Sequence, residues 1–400
     1  MTDNMRETEP NTEWKKVRLG DLAEVYLGLT YTPSYVSEGV PFLSVKDING
    51  GKINFKDTRF ISRNEFTNST SNAKPQKGDI LFGRVGTLGN PIIVEDDIEF
   101  CIFVSLGFLR IYKERVLNYY IAHWMSSKIF SKQIESKVAG SSQKNLNTGW
   151  LKEFQLYLPP FPEQHKISTT LSTWDKAIEL KEKLIDLKKE QKKGLMQRIL
   201  TGMVRLPQFN GEWTETKLGS VLKERNETGS GHLELLSITA KSGVVKRTEV
   251  DIKDNSNENK DKYKRICPLD IGYNTMRMWQ GVSGVSKYEG IVSPAYTVLK
   301  PTDKVDSYFI GYLFKLPRIV NLFWRHSQGL VDDTLNLKYS NFKDIMVNMP
   351  VDIKEQKAIA SLLRVLDKEI VIHNKELELL KQQKKGLMQL LLTGKVRVQC

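Results

Sequence analysis

Twelve residues, QKKGLMQRILTG at 191–202, return almost unchanged as QKKGLMQLLLTG at 383–394. A repeat over this distance constrains a fold more than any single motif, because both copies must satisfy the same packing in their own surroundings. The match extends without a gap: residues 163–206 align with 355–398 at an offset of 192, with 22 identities in 44 positions. Inside that stretch apolar residues recur at alternating spacings of four and three, the heptad seam of helices that pair along their length. In the first copy the seam runs through Ile167, Leu171, Trp174, Ile178, Lys181, Ile185, Lys188, Lys192, Leu195 and Ile199. In the second it runs through Ile359, Leu363, Leu366, Ile370, His373, Leu377, Leu380, Lys384, Leu387 and Leu391.

Each copy closes on Thr-Gly, and Gly202 and Gly394 suit the left-handed conformation found past a helix end. A helix from Glu163 to Thr201 is ~58 Å long at ~1.5 Å per residue. Alone it would expose its stripe, so the two copies are expected to bury each other's seam as an antiparallel coiled coil, the intervening domain returning the chain to the opposite end. Lys181 and His373 fall at one level of the seam and Lys192 and Lys384 at another. These polar residues are expected to fix register or reach water rather than to bind metal.

The repetition continues outside the helices. TEWKKVRLGDL at 12–22 is matched by GEWTETKLGSV at 211–221, with Glu-Trp and Leu-Gly in the same places. Three further islands pair up: PFLSVKDINGGKI at 41–53 with ELLSITAKSGVV at 234–245, KGDILFGRVGTLG at 77–89 with PLDIGYNTMRMWQGVSGVS at 268–286, and GSSQKNLN at 140–147 with GLVDDTLN at 329–336. Runs such as DILFGRV, NPIIVED, CIFVSLGFLRIY and GIVSPAYTVLK read as strands, NYYIAHWMSS and SYFIGYLFKLPRIVNLFWRH as helices. The expected fold is therefore α+β, a pseudo-two-fold repeat of two mixed globular domains separated by two long helices. The spacing gives a disordered tail over 1–11, domains over 12–160 and 204–350, and helical spacers over 161–203 and 351–396.

Sixty Lys and Arg against 47 Asp and Glu leave a formal net charge of +13, which favours a polyanionic partner. Three scattered cysteines make neither a disulfide framework nor a CxxC pair. The polar start MTDNMRETEPNTEW has no signal-peptide pattern, and no window holds the ~20 apolar residues of a membrane span. A cytoplasmic protein is expected.

Two variable halves divided by repeated helices, with LPPFPEQHKI and MPVDIKEQKAI leading into them and QKKGLMQ and LTG closing them, resemble the specificity subunit of type I DNA restriction-modification enzymes. The likeness covers nearly the whole chain, and YNTMRMWQG with GIVSPAY at 273–296 adds to it. It implies that each half is a target recognition domain reading one part of a split double-stranded DNA site. It further implies that the helices hold two modification subunits, which bring S-adenosylmethionine and methylate adenine. Restriction subunits would add ATP- and Mg-dependent translocation and cleavage. The chain itself is then non-catalytic and holds no cofactor.

Base edges are read by Arg, Gln, Asn, Ser and Thr, and phosphates by Lys and Arg. Candidates in the first half are Ser44, Lys46, Asn49, Arg84, Thr87, Gln143 and Lys144. In the second they are Ser237, Thr239, Lys241, Arg277, Trp279, Gln280, Arg325 and Gln328. Each has the competing role of a solvated charge or a turn residue, and Trp279 fits a displaced base or a core position. Catalytic motifs are missing: GRVGTLG at 83–89 lacks the Lys-Ser/Thr of a phosphate loop, LPPF at 158–161 lacks the polar first residue of an amino-methyltransferase motif, and the five histidines have no metal-binding spacing. Two rivals remain, a coiled-coil scaffold that binds proteins through its ends and a self-sufficient DNA-modifying enzyme.

Overall fold

The computed structural model describes residues 14–49, 51–138, 145–250, 259–331 and 334–399. The expected tail over 1–11 lies outside them. The chain forms two compact units, one built from Met1–Glu182 and Lys375–Cys400, the other from Lys183–Asn374. Each unit thus contains a globular domain, the beginning of one long helix and the end of the other.

Unit 1 is built on a four-stranded antiparallel sheet in the order Ala23–Leu27, Leu106–Ile111, Ile80–Gly83, Gly89–Ile93. Leu106–Ile111 is apolar on both faces apart from Arg110, as a central strand must be. A second sheet joins Cys101–Ile102, Val40–Leu43, Arg59–Ile61 and Tyr35–Val36. Helices α1 (Asn118–Met125) and α2 (Lys128–Val138) cover the first sheet, and α3 is the long helix Phe161–Ile199.

Unit 2 repeats the plan with Leu222–Glu224, Tyr296–Pro301, Ile271–Asn274 and Ser283–Val285 in the same antiparallel order. Hairpin Leu236–Thr239 with Gly243–Lys246 and pair Lys264–Ile266 with Gly290–Val292 replace the second sheet. Its helices include α4 (Ser307–Leu313) and α5 (Pro317–His326), and the long α6 (Ile353–Leu391) begins in it.

The paired Glu-Trp and Leu-Gly islands have a shared task. Lys15–Arg18 pairs antiparallel with Gln155–Leu158, and Trp213–Lys217 with Met346–Pro350, each partner being the strand that feeds a long helix. This ladder sets a tryptophan beside the first turn of that helix. Trp14 donates Nε1–H to Glu163 Oε2 at 3.3 Å, and Trp213 to Glu355 Oε1 at 3.2 Å.

Both carboxylates are buried, Glu355 completely. A buried charge needs a counter-charge, and the residues after the Thr-Gly stops supply it. In unit 2 Arg205 grips Glu355 through Nε and Nη2, both at 2.7 Å, while in unit 1 Arg397 grips Glu163, with Nε at 2.8 Å from Oε2. Each guanidinium also faces the tryptophan, 5.5 Å from Trp213 and 5.7 Å from Trp14. Gly202 and Gly394 have φ of +74° and +69°, turning the chain so that the arginine arrives.

The neighbouring glutamines are buried too. Gln164 accepts from Leu117 N at 2.9 Å and donates to Pro159 O at 2.9 Å; Gln356 accepts from Asp306 N at 2.8 Å and donates to Pro350 O at 2.9 Å. Leu117 and Asp306 are the residues just before α1 and α4, so each Glu-Gln pair fastens a domain helix to a long helix.

Within each unit the long-helix segments run antiparallel. The cores take up both: Ile167 and Leu171 with Met388, Leu391 and Leu392 in unit 1, Ile199 and Leu200 with Ile359, Ala360 and Leu363 in unit 2. All twenty seam positions are buried or half-buried. The seam lysines are ion-paired: Lys181 with Glu376 and Lys384 with Asp175 in unit 1, Lys188 with Glu369 at 2.7 Å and Lys192 with Asp367 at 2.5 Å in unit 2. His373 lies 3.8 Å from Glu369.

At Asp175 and Asp367 a domain side chain joins in. Tyr312 of α4 donates to Asp367 Oδ2 at 2.6 Å, and burial together with Asp367 pushes its phenol pKa up, so it remains a donor. His123 takes the equivalent place on α1, with Nδ1 3.7 Å from Asp175 and Nε2 3.1 Å from Ser172 Oγ. Burial pulls His123 down to about 4; Asp175 opposes this and Lys384 adds to it.

Two outcomes follow for stability. Arg205→Ala strands a buried carboxylate and should cost about 3–5 kcal/mol in unit 2 by denaturant unfolding, whereas Arg205→Met with Glu355→Leu should cost far less; equal losses would refute the clamp. His123 is held neutral in the fold, with a pKa below its unfolded value of about 6.5. Its contribution is complete above that value and is lost as the pH falls from there towards about 4, on the order of 3 kcal/mol. His123→Tyr, copying Tyr312, should flatten the acid limb of unit 1 unfolding between these values, and an unchanged limb would refute the assignment.

Candidate nucleic-acid interface

In unit 1 the three islands meet around one short segment. Arg84 N donates to Ser105 O at 2.9 Å, Val45 N to Ser105 Oγ at 3.1 Å, and Leu146 N to Arg84 O at 2.9 Å. The close packing depends on Gly83, where a Cβ would come 2.1 Å from Thr87 O. The Arg84 guanidinium turns inward, donating Nε to Leu146 O and Nη1 to Val104 O, both at 3.2 Å. This candidate for DNA contact therefore braces the neighbouring loops.

Around this brace, Lys46 and Thr87 are exposed. Ser44 is half-buried and engages Asp47 through N at 2.6 Å and Oγ at 2.8 Å, closing the turn that carries Lys46. Asn49 lies in strand Ile48–Asn49, paired with Lys52. Gln143 and Lys144 fall outside the described residues, but the adjoining Asn145 bridges to Val85.

Unit 2 assembles the same islands with other contacts. The hairpin carrying Ser237, Thr239 and Lys241 lies on strand Ser283–Val285 by backbone contact: a Cβ on Gly284 would be 2.6 Å from Gly243 Cα. Thr239 Oγ1 accepts from Ser242 N at 3.0 Å and donates to Gly243 O at 3.3 Å, shaping the turn on which Lys241 is exposed. Ser237 is half-buried.

The next island forms the turn 275–281. Leu337 N donates to Thr275 O at 2.9 Å, and Gln328 and Asn336 exchange backbone hydrogen bonds at 2.9 and 2.8 Å, which brings in the third island. Arg277 and Gln280 are exposed on the turn. Trp279 is half-buried and donates Nε1–H to Met276 O at 3.0 Å, so its indole shapes the turn. Gly281 ends it with φ of +76°, its missing Cβ 3.1 Å from Val320 of α5. Arg325 and Gln328 are exposed at and just beyond the end of α5.

Sequence reasoning missed Lys315, whose ammonium donates to Gly281 O at 2.7 Å and Ser283 O at 2.8 Å. It also missed Arg318, Asn321 and Trp324, which are exposed on α5. The signal for the helix was present in the two-sided pattern after Pro317.

The aspartates of the Asp-Ile islands are structural. Asp79 is held by Arg110 at 2.7 and 3.1 Å and accepts from Gln76 N, while Asp270 is held by Arg225 at 2.7 and 3.3 Å and accepts from Cys267 N. A cleft of about 720 Å³ in unit 1 is lined by Lys77, Asp79, Arg110, Glu95 and Tyr119, but Asp79 and Arg110 bind one another, as do Tyr119 and Glu95. Among the described residues no His, Cys, Asp or Glu cluster could hold a metal ion, and no helix is long and apolar enough to cross a membrane.

The chain matches the model of the type I restriction modification DNA specificity domain twice, over residues 11–189 and 210–382. The type I restriction enzyme MjaVIII specificity subunit of Methanocaldococcus jannaschii is 24% identical over 96% of this chain and 93% of its own. The crystal structure of the HsdS subunit from Thermoanaerobacter tengcongensis is similar at a TM-score of 0.52 and 17% identity, covering 99% of this chain and 100% of that one. A chain from work on complex assembly and conformational transition of the type I R-M system gives 0.63 at 16% identity, over 97% and 100%. These two likenesses establish the fold.

Gly284→Ala should lower unit 2 stability by roughly 1–3 kcal/mol, because the added methyl meets backbone. Hydrogen exchange should rise in residues 236–246; unaltered exchange there would show that the hairpin does not depend on this contact.

Proposed function

Since the chain belongs to the type I restriction-modification DNA specificity family, whose members recognise DNA targets, we propose that each unit reads one half of an asymmetric bipartite site in double-stranded DNA. The observation that carries this reading is the double convergence of islands, in which one frame presents two different sets of side chains. Unit 1 offers Lys46 and Thr87 around the inward Arg84, whereas unit 2 offers Lys241, Arg277 and Gln280. Lysine suits phosphate, arginine can grip guanine through two bonds, and glutamine can do the same for adenine. Different side chains on a common frame imply different half-sites.

The chain selects the target and leaves chemistry to partners. Two modification subunits would bring S-adenosylmethionine for adenine-N6 methylation, and restriction subunits would bring ATP and Mg for cleavage, all in the cytoplasm. The long helices supply apolar surface for docking. Leu184, Leu187, Val371 and Ile372 are exposed in unit 2, and Leu180 and Leu379 in unit 1. Each helix is 39 residues, ~58 Å, and its length sets the interval between half-sites.

Single-molecule methylation sequencing of DNA from cells expressing this chain with its modification subunit tests the reading. A split asymmetric motif carrying adenine methylation on both strands, absent without this chain, is expected. Removing one heptad from each long helix should alter the interval and leave both half-sequences intact. No motif from a verified, active complex would favour a protein-binding scaffold, and an unchanged interval would refute the role given to helix length.

A further inference from the structure

Helix α5 has two sharply different sides. Ile319 and Phe323 are buried in the unit 2 core, Phe323 making an edge contact with Phe314 at 5.1 Å. At about 100° per residue, Arg318, Asn321, Trp324 and Arg325 fall within a single arc on the opposite side, and all four are exposed. Trp324 leaves 49% of its surface open, an unusual exposure for the largest apolar side chain. Neither arginine has a carboxylate at ion-pair distance among the described residues, whereas Arg205, Arg225 and Arg265 of this unit are all so paired.

We propose that this outer face of α5 is a second DNA-reading element of unit 2, in which Asn321 and Trp324 discriminate bases and Arg318 and Arg325 hold phosphates. The inference rests on the DNA-reading role proposed above and names residues for it. Charge selects the occupant: two guanidinium groups without a carboxylate partner among the described residues flank an amide and an indole, and a polyanion is the partner that satisfies them. The amide of asparagine can bond adenine N6 and N7 together, and an indole offers a flat apolar surface to a thymine methyl or a sugar. Ten residues make a rod of ~15 Å, and B-DNA has a major groove ~12 Å wide that admits such a helix.

The face is mechanically joined to the turn that bears Arg277 and Gln280. Lys315, just ahead of Pro317, holds the carbonyls of Gly281 and Ser283. Val320 fills the space left by the absent Cβ of Gly281. At the other end Asn341 Nδ2 donates to His326 O at 3.3 Å. Helix and turn therefore present one surface whose parts keep register, as base reading requires. Lys315 acts as a positioning residue.

The test uses the complex assembled with its modification subunits and duplex DNA carrying the split motif obtained for the wild type. Asn321→Ala and Trp324→Ala should each lose roughly 5- to 100-fold of discrimination at the second half-site, with the first unaffected. Arg318→Ala with Arg325→Ala should weaken binding to all sequences and reduce the slope of log affinity against log salt by about 2. Lys315→Met should relax the second half-site and Lys315→Arg restore it, at unchanged thermal midpoint of the complex. Unchanged specificity and salt slope in these variants would overturn the proposal. So would a loss of complex assembly at full DNA affinity of the complex that remains, which would make the face a protein contact. A wild-type complex with no split motif would remove the underlying DNA-reading role, a result distinct from unaltered variants of a selective complex.

Discussion

A carboxylate buried in the first turn of each long helix governs the architecture. Taking the Glu163 and Glu355 carboxylates out of water is costly unless a guanidinium and a further donor stand beside them. Both are supplied from outside the helix: the donor is a tryptophan at the start of the strand that pairs with the chain entering the helix, Trp213 within it and Trp14 just before it, and the guanidinium lies just past the end of the other long helix. Unit 1 is therefore incomplete without Arg397 from the second repeat, and unit 2 without Arg205 from the first. This explains why twelve residues recur at such distance. Glycine, valine and arginine after each helix are copied together because the turn, the spacing and the charge serve one ion pair.

The seam was legible because a heptad writes its contacts into local spacing. Its polar positions were legible only in part. Lys181, Lys192 and Lys384 are placed by the sequence at seam levels, where they are expected to fix register or reach water, but their partners Glu376, Asp367 and Asp175 lie off the seam in the opposite helix, where no local period points to them. The Arg205–Glu355 and Arg397–Glu163 pairs were hidden for the same reason, their partners being 150 and 234 positions apart in sequence. Sequence shows which residues repeat; it does not show which copy serves which unit.

The candidate interface was readable as islands and not as single residues. Convergence of three islands in each unit rests on glycines and backbone hydrogen bonds, which the matched sequences carry. Where a side chain ends up depends on surroundings that the island does not encode. Arg84 and Arg277 occupy equivalent islands, yet Arg84 is half-buried and donates to Leu146 O and Val104 O, while Arg277 is exposed. In SYFIGYLFKLPRIVNLFWRH the break before Pro317 makes two helices, and only the second turns a polar face outward.

The pattern of conservation between the halves of this chain has a physical logic. Groups whose burial demands a partner are retained in kind: Glu163 and Glu355, Gln164 and Gln356, Asp79 and Asp270. Where a role can be filled by different chemistry the halves diverge, as with His123 and Tyr312 facing equivalent aspartates, or Arg110 on a central strand and Arg225 just past an edge strand reaching equivalent aspartates. At the loop tips the halves diverge most: the turn around Lys46 and its counterpart hairpin around Lys241 share few side chains, as do the matched segments around Arg84 and Arg277. A fold held together by buried ion pairs at its helix ends leaves its loop tips free to vary without loss of stability.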